Sequence, residues 1–357
     1  MQIYREENIE RLQELIGSQR EVFVVMDEIL EKYCQYFGEY YHFLKNFNTF
    51  SLKAIEKNKN LRTIEQIYEW LFENNASRNS LLIGFGGGII SDITGFVAAT
   101  YNRGIECGFI PTTLLSQCDA SLGGKNGCNF NGYKNLIGTI REPSWIFISS
   151  LFLRSLPERV KNEGIAEMLK TFLISDSKGY DQAISLFKET KGRNFGSYTP
   201  TEFEKLKILI EKCQQIKLEI VKEDFTERGK RGLLNFGHTF GHALEKLFPA
   251  ILHGEAVSVG VAMAIDFSVT KGICNKEEGE KIKEDLRAIV LPTTLEDLQC
   301  LVNEKNVSVN ISDAIIKDKK REGDCINFIY LREKGVAVIK PTPLKEINDF
   351  LITSENS

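Results

Sequence analysis

Residues 80–100 read SLLIGFGGGIISDITGFVAAT and carry the most information about the fold. The apolar run at 80–85 predicts a strand, the three glycines at 86–88 predict a tight turn, and 89–100 predicts a helix. This series is typical of α/β proteins. Its glycines let the backbone approach a ligand, and the N–H groups at the helix start favour a phosphate. The stretch predicts a Rossmann-like nucleotide-binding domain. A turn that serves packing alone is the open alternative, because the G-x-G-x-x-G fingerprint is absent.

The apolar pattern outside this stretch changes character at about residue 155. Runs of apolar residues predict strands before that point, and helical spacing dominates after it. The predicted strands lie at 22–26, 109–111 and 145–148, the helices at 63–74, 157–174, 203–221, 239–248, 256–270 and 276–289, and a late hairpin at 325–330 and 335–339. We therefore predict an α/β domain over residues 1–160 and a mainly α-helical domain over residues 161–357.

The composition excludes several classes of function. The 357 residues carry 45 Lys and Arg against 49 Asp and Glu, so a net charge of −4 offers no basic field for nucleic acid. No apolar run is long enough to span a bilayer, and the first residues, MQIYREE, lack a signal-peptide core. The eight cysteines include no C-x-x-C pair, which favours free thiols in a reducing compartment. We expect a cytoplasmic protein with neither a membrane nor a nucleic-acid partner.

Two runs that combine glycine with lysine, 117–125 (QCDASLGGK) and 132–138 (GYKNLIG), predict phosphate binding. Lysine beside glycine offers exposed backbone N–H groups and a mobile positive charge. Asp119 in the first run is suited to a hydroxyl group or a cofactor. A solvated surface loop is the alternative, but such a loop does not need close backbone approach.

Three of the four histidines fall within sixteen positions, at His238, His242 and His253. Imidazole is the commonest metal ligand among side chains, so the cluster predicts a metal or acid–base site. His238 and His242 are four residues apart and share one helix face, so spacing favours both on one zinc ion. The third ligand is then His253 or a carboxylate such as Glu167, which lies on a mostly apolar helical stretch. Histidines on the surface of a capped helix are the alternative.

A series of motifs resembles the 3-dehydroquinate synthase family of sugar phosphate cyclases over about residues 20–330. The matching runs are GGGIISDITGFVAATYNRG (86–104), IPTTLLSQCDASLGGKNGCN (110–129), GYKNLIG (132–138), LPERVKNEGIAEMLK (156–170), RGLLNFGHTFGHALE (231–245), LHGEAV (252–257) and DKK (318–320). Several motifs in series are far more specific than any one of them.

The resemblance implies a catalytic zinc ion, or cobalt, held by Glu167, His238 and His253, with His242 near the substrate phosphate instead. It also implies NAD. The cofactor side matches Asp27, Glu56, Lys59, Gly86, Gly87, Gly88, Asp92, Thr112, Thr113, Lys134, Phe152 and Ser155. The substrate side matches Arg103, Asp119, Lys125, Asn135, Lys170, Lys217, Arg231, Asn235, His242, Lys319 and Lys320. Arg103 is expected to reach the active site of a neighbouring subunit, which implies a homodimer.

The implied reaction converts a phosphorylated keto-acid sugar, 3-deoxy-arabino-heptulosonate 7-phosphate, to 3-dehydroquinate and phosphate in the shikimate pathway. It combines transient oxidation by NAD, phosphate elimination, reduction and an intramolecular aldol closure, with the metal ion as Lewis acid. Arg231 is implied to hold the substrate carboxylate through a two-pronged contact. The alternatives are a cyclase acting on a related substrate such as the amino analogue, an NAD-dependent metal-containing polyol dehydrogenase, and a non-catalytic relative.

Three departures from the family pattern lie near the cofactor end. Ser91 replaces a usual glycine, residues 126–128 (NGC) replace a more usual Thr-Ala-Val, and Ile55 stands where a glycine usually precedes Glu56. The Ser-x-Gly-Gly-Lys run at 121–125 is retained, which favours the carboxylated substrate or a close analogue.

Overall fold

A computed structural model describes residues 1–18, 20–302, 311–312, 314–315 and 324–355. The chain divides into two compact units. The first comprises Met1–Pro157 together with Asn194–Ser197, and the second comprises Glu158–Arg193 and Tyr198–Ser357. No helix among the described residues is both long and apolar enough to cross a membrane.

The first unit is an α/β layer built on a parallel sheet. Its strands are β1 (Gln2–Arg5), β2 (Val22–Asp27), β3 (Asn48–Leu52), β4 (Leu81–Gly86), β5 (Glu106–Pro111), β6 (Lys125–Phe130), β7 (Tyr133–Ile140) and β8 (Trp145–Ile148). Its helices are α1 (Ile9–Ile16), α2 (Ile29–Tyr33), α3 (Gly38–Lys45), α4 (Leu61–Glu73) and α5 (Gly88–Thr100). Six of the described strands pair in parallel in the order β1-β8-β5-β4-β2-β3.

Burial on both faces explains why the central strands are continuous apolar runs. All six residues of β4 are buried, and so are the first five of β2. Glycine sets the distance between β4 and α5, because a Cβ on Gly84 would lie 2.9 Å from the Thr94 hydroxyl and one on Gly86 would lie 2.5 Å from Ile90 Cγ1. The predicted strand, glycine turn and helix at 80–100 are therefore confirmed, with α5 beginning at Gly88.

The chain order reverses between β2 and β4. Strand β3, which follows β2 in the chain, pairs with one edge of β2, and the next strand, β4, pairs with the other edge of β2. In open α/β sheets this switch point, at the carboxyl ends of the strands, is where ligands bind. Asp27 ends β2 and Gly86 ends β4, and a Cβ on Gly86 would lie 3.2 Å from Asp27 Cβ. The glycine turn thus sits at the switch point.

The second unit is mainly helical. Its elements are α6 (Glu158–Ser175), α7 (Ser177–Glu189), α8 (Pro200–Glu223), α9 (His238–Leu247), α10 (His253–Thr270), α11 (Lys276–Ala288), α12 (Leu295–Val302), the antiparallel strands β9 (Cys325–Glu333) and β10 (Val336–Pro343), and α13 (Leu344–Glu355). Helix α8 begins with a capping box, in which the Glu202 amide donates to the Thr199 hydroxyl and the Thr199 amide donates to the Glu202 carboxylate. The predicted α/β and helical halves and the late hairpin are confirmed.

Helix α10 is buried along most of its length, and its glycines pack directly against the backbone of neighbouring segments. A Cβ on Gly254 would lie 2.4 Å from the Cα of Glu163 in α6. A Cβ on Gly260 would lie 2.3 Å from the carbonyl oxygen of Gly237, which precedes α9 in a left-handed conformation with φ of 78°. Small residues at these contacts therefore bring the first turns of α9 and α10 close to α6.

We predict that Gly254→Ala destabilises the protein by about 1–3 kcal/mol, because the new methyl group has no room beside the backbone of α6. Urea unfolding monitored by circular dichroism measures the change. Gly38→Ala is the matched control, since its Cβ would meet only His42, at 3.7 Å. Equal stability of both variants would contradict close packing at Gly254.

Candidate metal centre and active site

Three side chains of the second unit converge on one point. Glu167 lies in the middle of α6, whereas His238 and His253 are the first residues of α9 and α10. Glu167 Oε1 lies 3.4 Å from His238 Nε2 and 3.1 Å from His253 Nε2. Among the described residues, these three form a group whose ligand atoms all lie within 4.8 Å of one another.

The donor set fits a divalent metal ion. Two imidazole nitrogens and one carboxylate oxygen are a common catalytic zinc set, and bonds of about 2.1 Å in a tetrahedral site separate ligand atoms by about 3.4 Å. The Nε2–Oε1 distances of 3.4 and 3.1 Å agree with that spacing. Both distances from the carboxylate oxygen to the imidazole nitrogens are thus compatible with a shared metal ion.

Lys170 occupies the other side of the Glu167 carboxylate. Its ammonium lies 2.7 Å from Oε2 and donates to the carbonyl oxygen of Leu234 at 2.6 Å. Both residues are almost fully buried, with side-chain exposures of 2% for Lys170 and 0% for Glu167. One carboxylate oxygen thus faces a cation, and the other faces the two imidazoles.

The electrostatics of the group favour the ligand forms of Glu167 and His238 but the protonated form of His253. Burial raises the pKa of Glu167, but Lys170, His238 and His253 outweigh burial and hold this pKa well below its usual value. Burial lowers the pKa of His238 to about 3, so its imidazole is neutral. Burial also lowers the pKa of His253, yet Glu167 and Glu245 together raise it well above its usual value. A metal ion binds an ionised carboxylate and neutral imidazoles, so metal binding by this group depends on pH.

His242 lies beside the group rather than in it. Its ring centroid is 5.2 Å from that of His238 and 6.4 Å from that of His253. Helix spacing alone paired His238 with His242, but the described three-ligand group contains His253 and Glu167 instead. Sharing a helix face places the two rings side by side without aiming both at one point. The ligand set implied by the resemblance stays a prediction that this geometry supports.

Sequence reasoning overlooked Glu245, which contacts His253 at the ring nitrogen that does not face Glu167. Its Oε1 lies 3.2 Å from His253 Nδ1, and its side chain is 4% exposed. The available signal was its position seven residues after His238, because two helical turns return to the same face.

A second overlooked contact joins α6 to the start of α10. Arg159 holds the Glu255 carboxylate with two prongs, Nε to Oε1 at 2.5 Å and Nη2 to Oε2 at 2.7 Å. Glu255 Oε2 also accepts from the Leu252 amide at 2.7 Å, just before the first residue of α10. This ion pair fixes the end of α10 that carries His253.

Arg231, an expected substrate residue of the second unit, lies in a segment that several hydrogen bonds hold in place. Arg231 is 1% exposed and donates to the carbonyl oxygen of Phe225 at 2.6 Å. Asp224 holds the same turn by accepting from the Arg228, Gly229 and Arg231 amides. The segment reaches the metal group through the Lys170 contact with Leu234.

Four further residues were expected on the substrate side, of which two lie among the described residues of this unit. Asn235 donates to Glu227 at 2.9 Å, and Lys217 on α8 is 7% exposed. The predicted pair Lys319 and Lys320 lies outside the described residues.

Several expected cofactor residues of the first unit meet around Lys59. Lys59 forms an ion pair with Asp92 on α5 and donates to Asn135 Oδ1 at 2.5 Å. Asn129 donates to the Glu56 carboxylate at 2.7 Å. Asn135, expected on the substrate side, therefore lies among residues expected to bind NAD.

Other expected residues of this unit differ in accessibility. Phe152 is 0% exposed and packs within the core against Phe85, so only its backbone could reach a ligand. The Thr112 amide donates to the Gly86 carbonyl oxygen, and the Ser155 hydroxyl donates to the Phe152 carbonyl oxygen. The Thr113 hydroxyl accepts from the Ser116 amide at the start of the turn that carries Asp119 (Ser116–Ala120), and Gly87 packs on Thr113. Three further expected residues are exposed, namely Lys125, Lys134 and Arg103.

The departures from the family pattern are accommodated by packing. Ser91 is buried and donates to the Gly87 carbonyl at 3.4 Å. Asn126 donates to the carbonyl oxygens of Gly124 and Arg141, both at 2.8 Å. Its amide fills the space over Gly95, where a Cβ would lie 1.9 Å from Asn126 Oδ1. Asn126 thus joins the β6–β7 hairpin to α5.

Comparisons with known proteins cover most of the chain. Family models described as the N-terminal and C-terminal parts of 3-dehydroquinate synthase match residues 49–163 and 164–321. The 3-dehydroquinate synthase of Campylobacter concisus is 42% identical over 293 residues, which are 82% of this chain and 79% of that protein. That of Clostridium tetani is 35% identical over 352 residues, which are 97% and 89%.

Solved structures share the fold. A 2-epi-5-epi-valiolone synthase from Streptomyces hygroscopicus subsp. jinggangensis, with NAD+ and Zn2+ bound, matches with a TM-score of 0.83 at 23% identity, over 99% of this chain and 97% of that one. A 2-deoxy-scyllo-inosose synthase complexed with carbaglucose-6-phosphate, NAD+ and Co2+ matches with a TM-score of 0.79 at 23% identity, over 98% and 95%. A probable glycerol dehydrogenase from Sinorhizobium meliloti has the same fold at a TM-score of 0.63 and 16% identity, over 98% and 95%.

The parallel α/β unit and the mainly helical unit give this chain the fold of the two cyclases and of the probable glycerol dehydrogenase. Among proteins of this fold, the chain belongs to the 3-dehydroquinate synthase family. It is therefore an enzyme of the phosphate-eliminating cyclase type.

We predict that His253→Ala weakens zinc binding by at least about 100-fold, because it removes one of three ligands from a preformed group. Titration of metal-free protein with Zn2+ against a chromophoric chelator measures the affinity. His242→Ala is the matched control, since this ring lies beside the group on the same helix as His238. A wild-type metal stoichiometry in His253→Ala would refute the assignment of this ligand.

Proposed function

We propose that the chain converts 3-deoxy-arabino-heptulosonate 7-phosphate to 3-dehydroquinate and phosphate, with NAD and a divalent metal ion as cofactors. The metal is zinc, with cobalt able to replace it, and the reaction serves aromatic amino-acid biosynthesis through the shikimate pathway. The observation that carries the proposal is the group of Glu167, His238 and His253, with Lys170 against the same carboxylate, in a chain of this family. When bound, NAD supplies a reversible hydride acceptor and the metal ion supplies a Lewis acid.

The switch point of the sheet supports NAD binding. Gly86, Gly87 and Gly88 join the end of β4 to the start of α5, where unpaired N–H groups favour a pyrophosphate. Asp27 ends the neighbouring strand and accepts from the amides of Ile29 and Ala54, so its carboxylate has a fixed position. The cofactor role of Asn135 is a revision that its contact with Lys59 favours.

Side chains of the second unit suit an anionic, hydroxylated substrate. The Lys170 ammonium is held beside Glu167, where it can orient a substrate hydroxyl group and hold a proton near it. Arg231 presents a planar fork that matches a carboxylate in two hydrogen bonds. Lys217 and His242 add donors for a phosphate dianion, and the family resemblance implies a phosphate-binding role for Lys125. A polyol dehydrogenase needs no such set of phosphate-binding lysines.

We also propose that the enzyme is a cytoplasmic homodimer with domains at 1–160 and 161–357. Exposed apolar side chains on β7, Leu136 at 49% and Ile140 at 43%, support association with a second copy. Arg103 is exposed on a turn in which Asn102, Arg103 and Gly104 all have positive φ. This turn suits a side chain that contributes to the neighbouring active site.

The direct test incubates the purified protein with NAD, Zn2+ and the heptulosonate phosphate. We expect equal amounts of released phosphate and of 3-dehydroquinate, without net formation of NADH, because the hydride returns to the substrate. Accumulation of NADH would favour a dehydrogenase and overturn the proposal. Turnover of the amino analogue with no turnover of the heptulosonate would overturn the proposed substrate.

We predict that Lys125→Ala weakens binding of the phosphorylated substrate by about 10-fold or more and leaves NAD affinity within about twofold, because one charge-assisted hydrogen bond is lost. The KM for substrate and the Kd for NAD by fluorescence measure the two effects. Lys45→Ala is the matched control, since Lys45 is an exposed lysine of α3 outside the proposed site. Equal losses for both ligands would refute a phosphate role.

A further inference from the structure

His253 is held between carboxylates at both ring nitrogens. Its Nε2 faces Glu167 Oε1 at 3.1 Å, and its Nδ1 faces Glu245 Oε1 at 3.2 Å. Glu245 comes from α9, the helix that also begins with His238. One short helix therefore supplies one expected metal ligand, His238, and a carboxylate, Glu245, that contacts another, His253.

The imidazoles of His238 and His253 differ in the acceptor that lies next to Nδ1. His238 Nδ1 lies 3.2 Å from the backbone carbonyl oxygen of Phe236, which is a neutral acceptor. The acceptor behind His253 is a carboxylate. An anionic acceptor polarises the Nδ1–H bond more strongly than a carbonyl group does, so it makes Nε2 a better electron donor to a metal ion.

The burial of Glu245 needs an explanation. Its side chain is 4% exposed, on the face of α9 that also carries His238. Burying an ionised carboxylate costs free energy unless charged or hydrogen-bonded partners compensate. The imidazole of His253 is one such partner, because its Nδ1 lies 3.2 Å from Glu245 Oε1.

We propose that Glu245 is a positioning residue for the metal centre. It accepts the hydrogen bond from His253 Nδ1–H, fixes the tautomer with the proton on Nδ1, and aims Nε2 at the ion next to Glu167. Glu245 thereby tightens metal binding without contacting the metal. This inference rests on the metal site of the proposed function and deepens it.

The test is a zinc titration of metal-free Glu245→Gln and Glu245→Ala against a chromophoric chelator. We expect a loss of affinity of about 10–100-fold in Glu245→Ala, the range typical for removal of an outer partner of a metal-bound histidine. Glu245→Gln keeps an oxygen that accepts from Nδ1–H but loses the charge, so we expect an intermediate loss of about 3–10-fold. The visible spectrum of bound Co2+ should also change in Glu245→Ala, because the ring of His253 is no longer oriented.

The control for a merely structural effect is Asp285→Asn. Asp285 is another buried carboxylate, 2.7 Å from Lys188 Nζ and 3.3 Å from Lys281 Nζ on the helical surface of this unit. We expect it to lower thermal stability and to leave zinc affinity unchanged. If the Glu245 variants behave in the same way, with zinc affinity within about twofold of wild type, the proposal is overturned.

His253→Ala separates failure of this inference from failure of the metal site itself. If the wild type and His253→Ala bind zinc equally, the ligand group of the proposed function is wrong. If His253→Ala loses zinc while Glu245→Gln keeps wild-type affinity, the ligand group stands and the role of Glu245 is refuted. Glu245→Gln differs from the native side chain by one atom, so it decides the question even if Glu245→Ala fails to fold.

Discussion

The close approach of α10 to α6 is the constraint on which the metal group depends. Gly254 removes the side chain that would separate the two helices, and the forked Arg159–Glu255 ion pair ties their ends together. His253, as the first residue of α10, then reaches the carboxylate of Glu167 in α6. Because the two ligands come from different helices, the distance between them is set by helix packing rather than by local sequence.

A second layer of contacts organises the same group electrostatically. Lys170 lowers the pKa of Glu167 against the effect of burial, and burial keeps His238 neutral. Lys170 also ties the group to the segment that carries Arg231 and Asn235, through the carbonyl oxygen of Leu234. The buried side chain of Lys170 thus connects an expected metal ligand with the segment that carries two expected substrate residues.

The sequence predicted the features that local pattern controls. The strand, glycine turn and helix at 80–100 were found because burial on both faces leaves an apolar run with abrupt ends, and β8 was predicted at its observed bounds. The β6–β7 hairpin was missed because β7 is largely exposed and has no alternating apolar pattern. The short edge strands β1 and β3 also carry few buried residues. The pairing of His238 with His242 followed helical spacing, which cannot report that α10 delivers a third histidine. Glu245 was overlooked for the same reason, since its partner is on another helix.

The order of the parallel sheet also has a consequence for how the chain is made. Strand β1 pairs with β8, so the first residues of the protein find their partner only after about 140 further residues have been synthesised. Strand β5 likewise meets β8 late. Contacts so distant along the chain slow folding, because a long loop must close before any pairing energy is gained. Residues 2–5 therefore lack their strand partner until residues 145–148 have been synthesised.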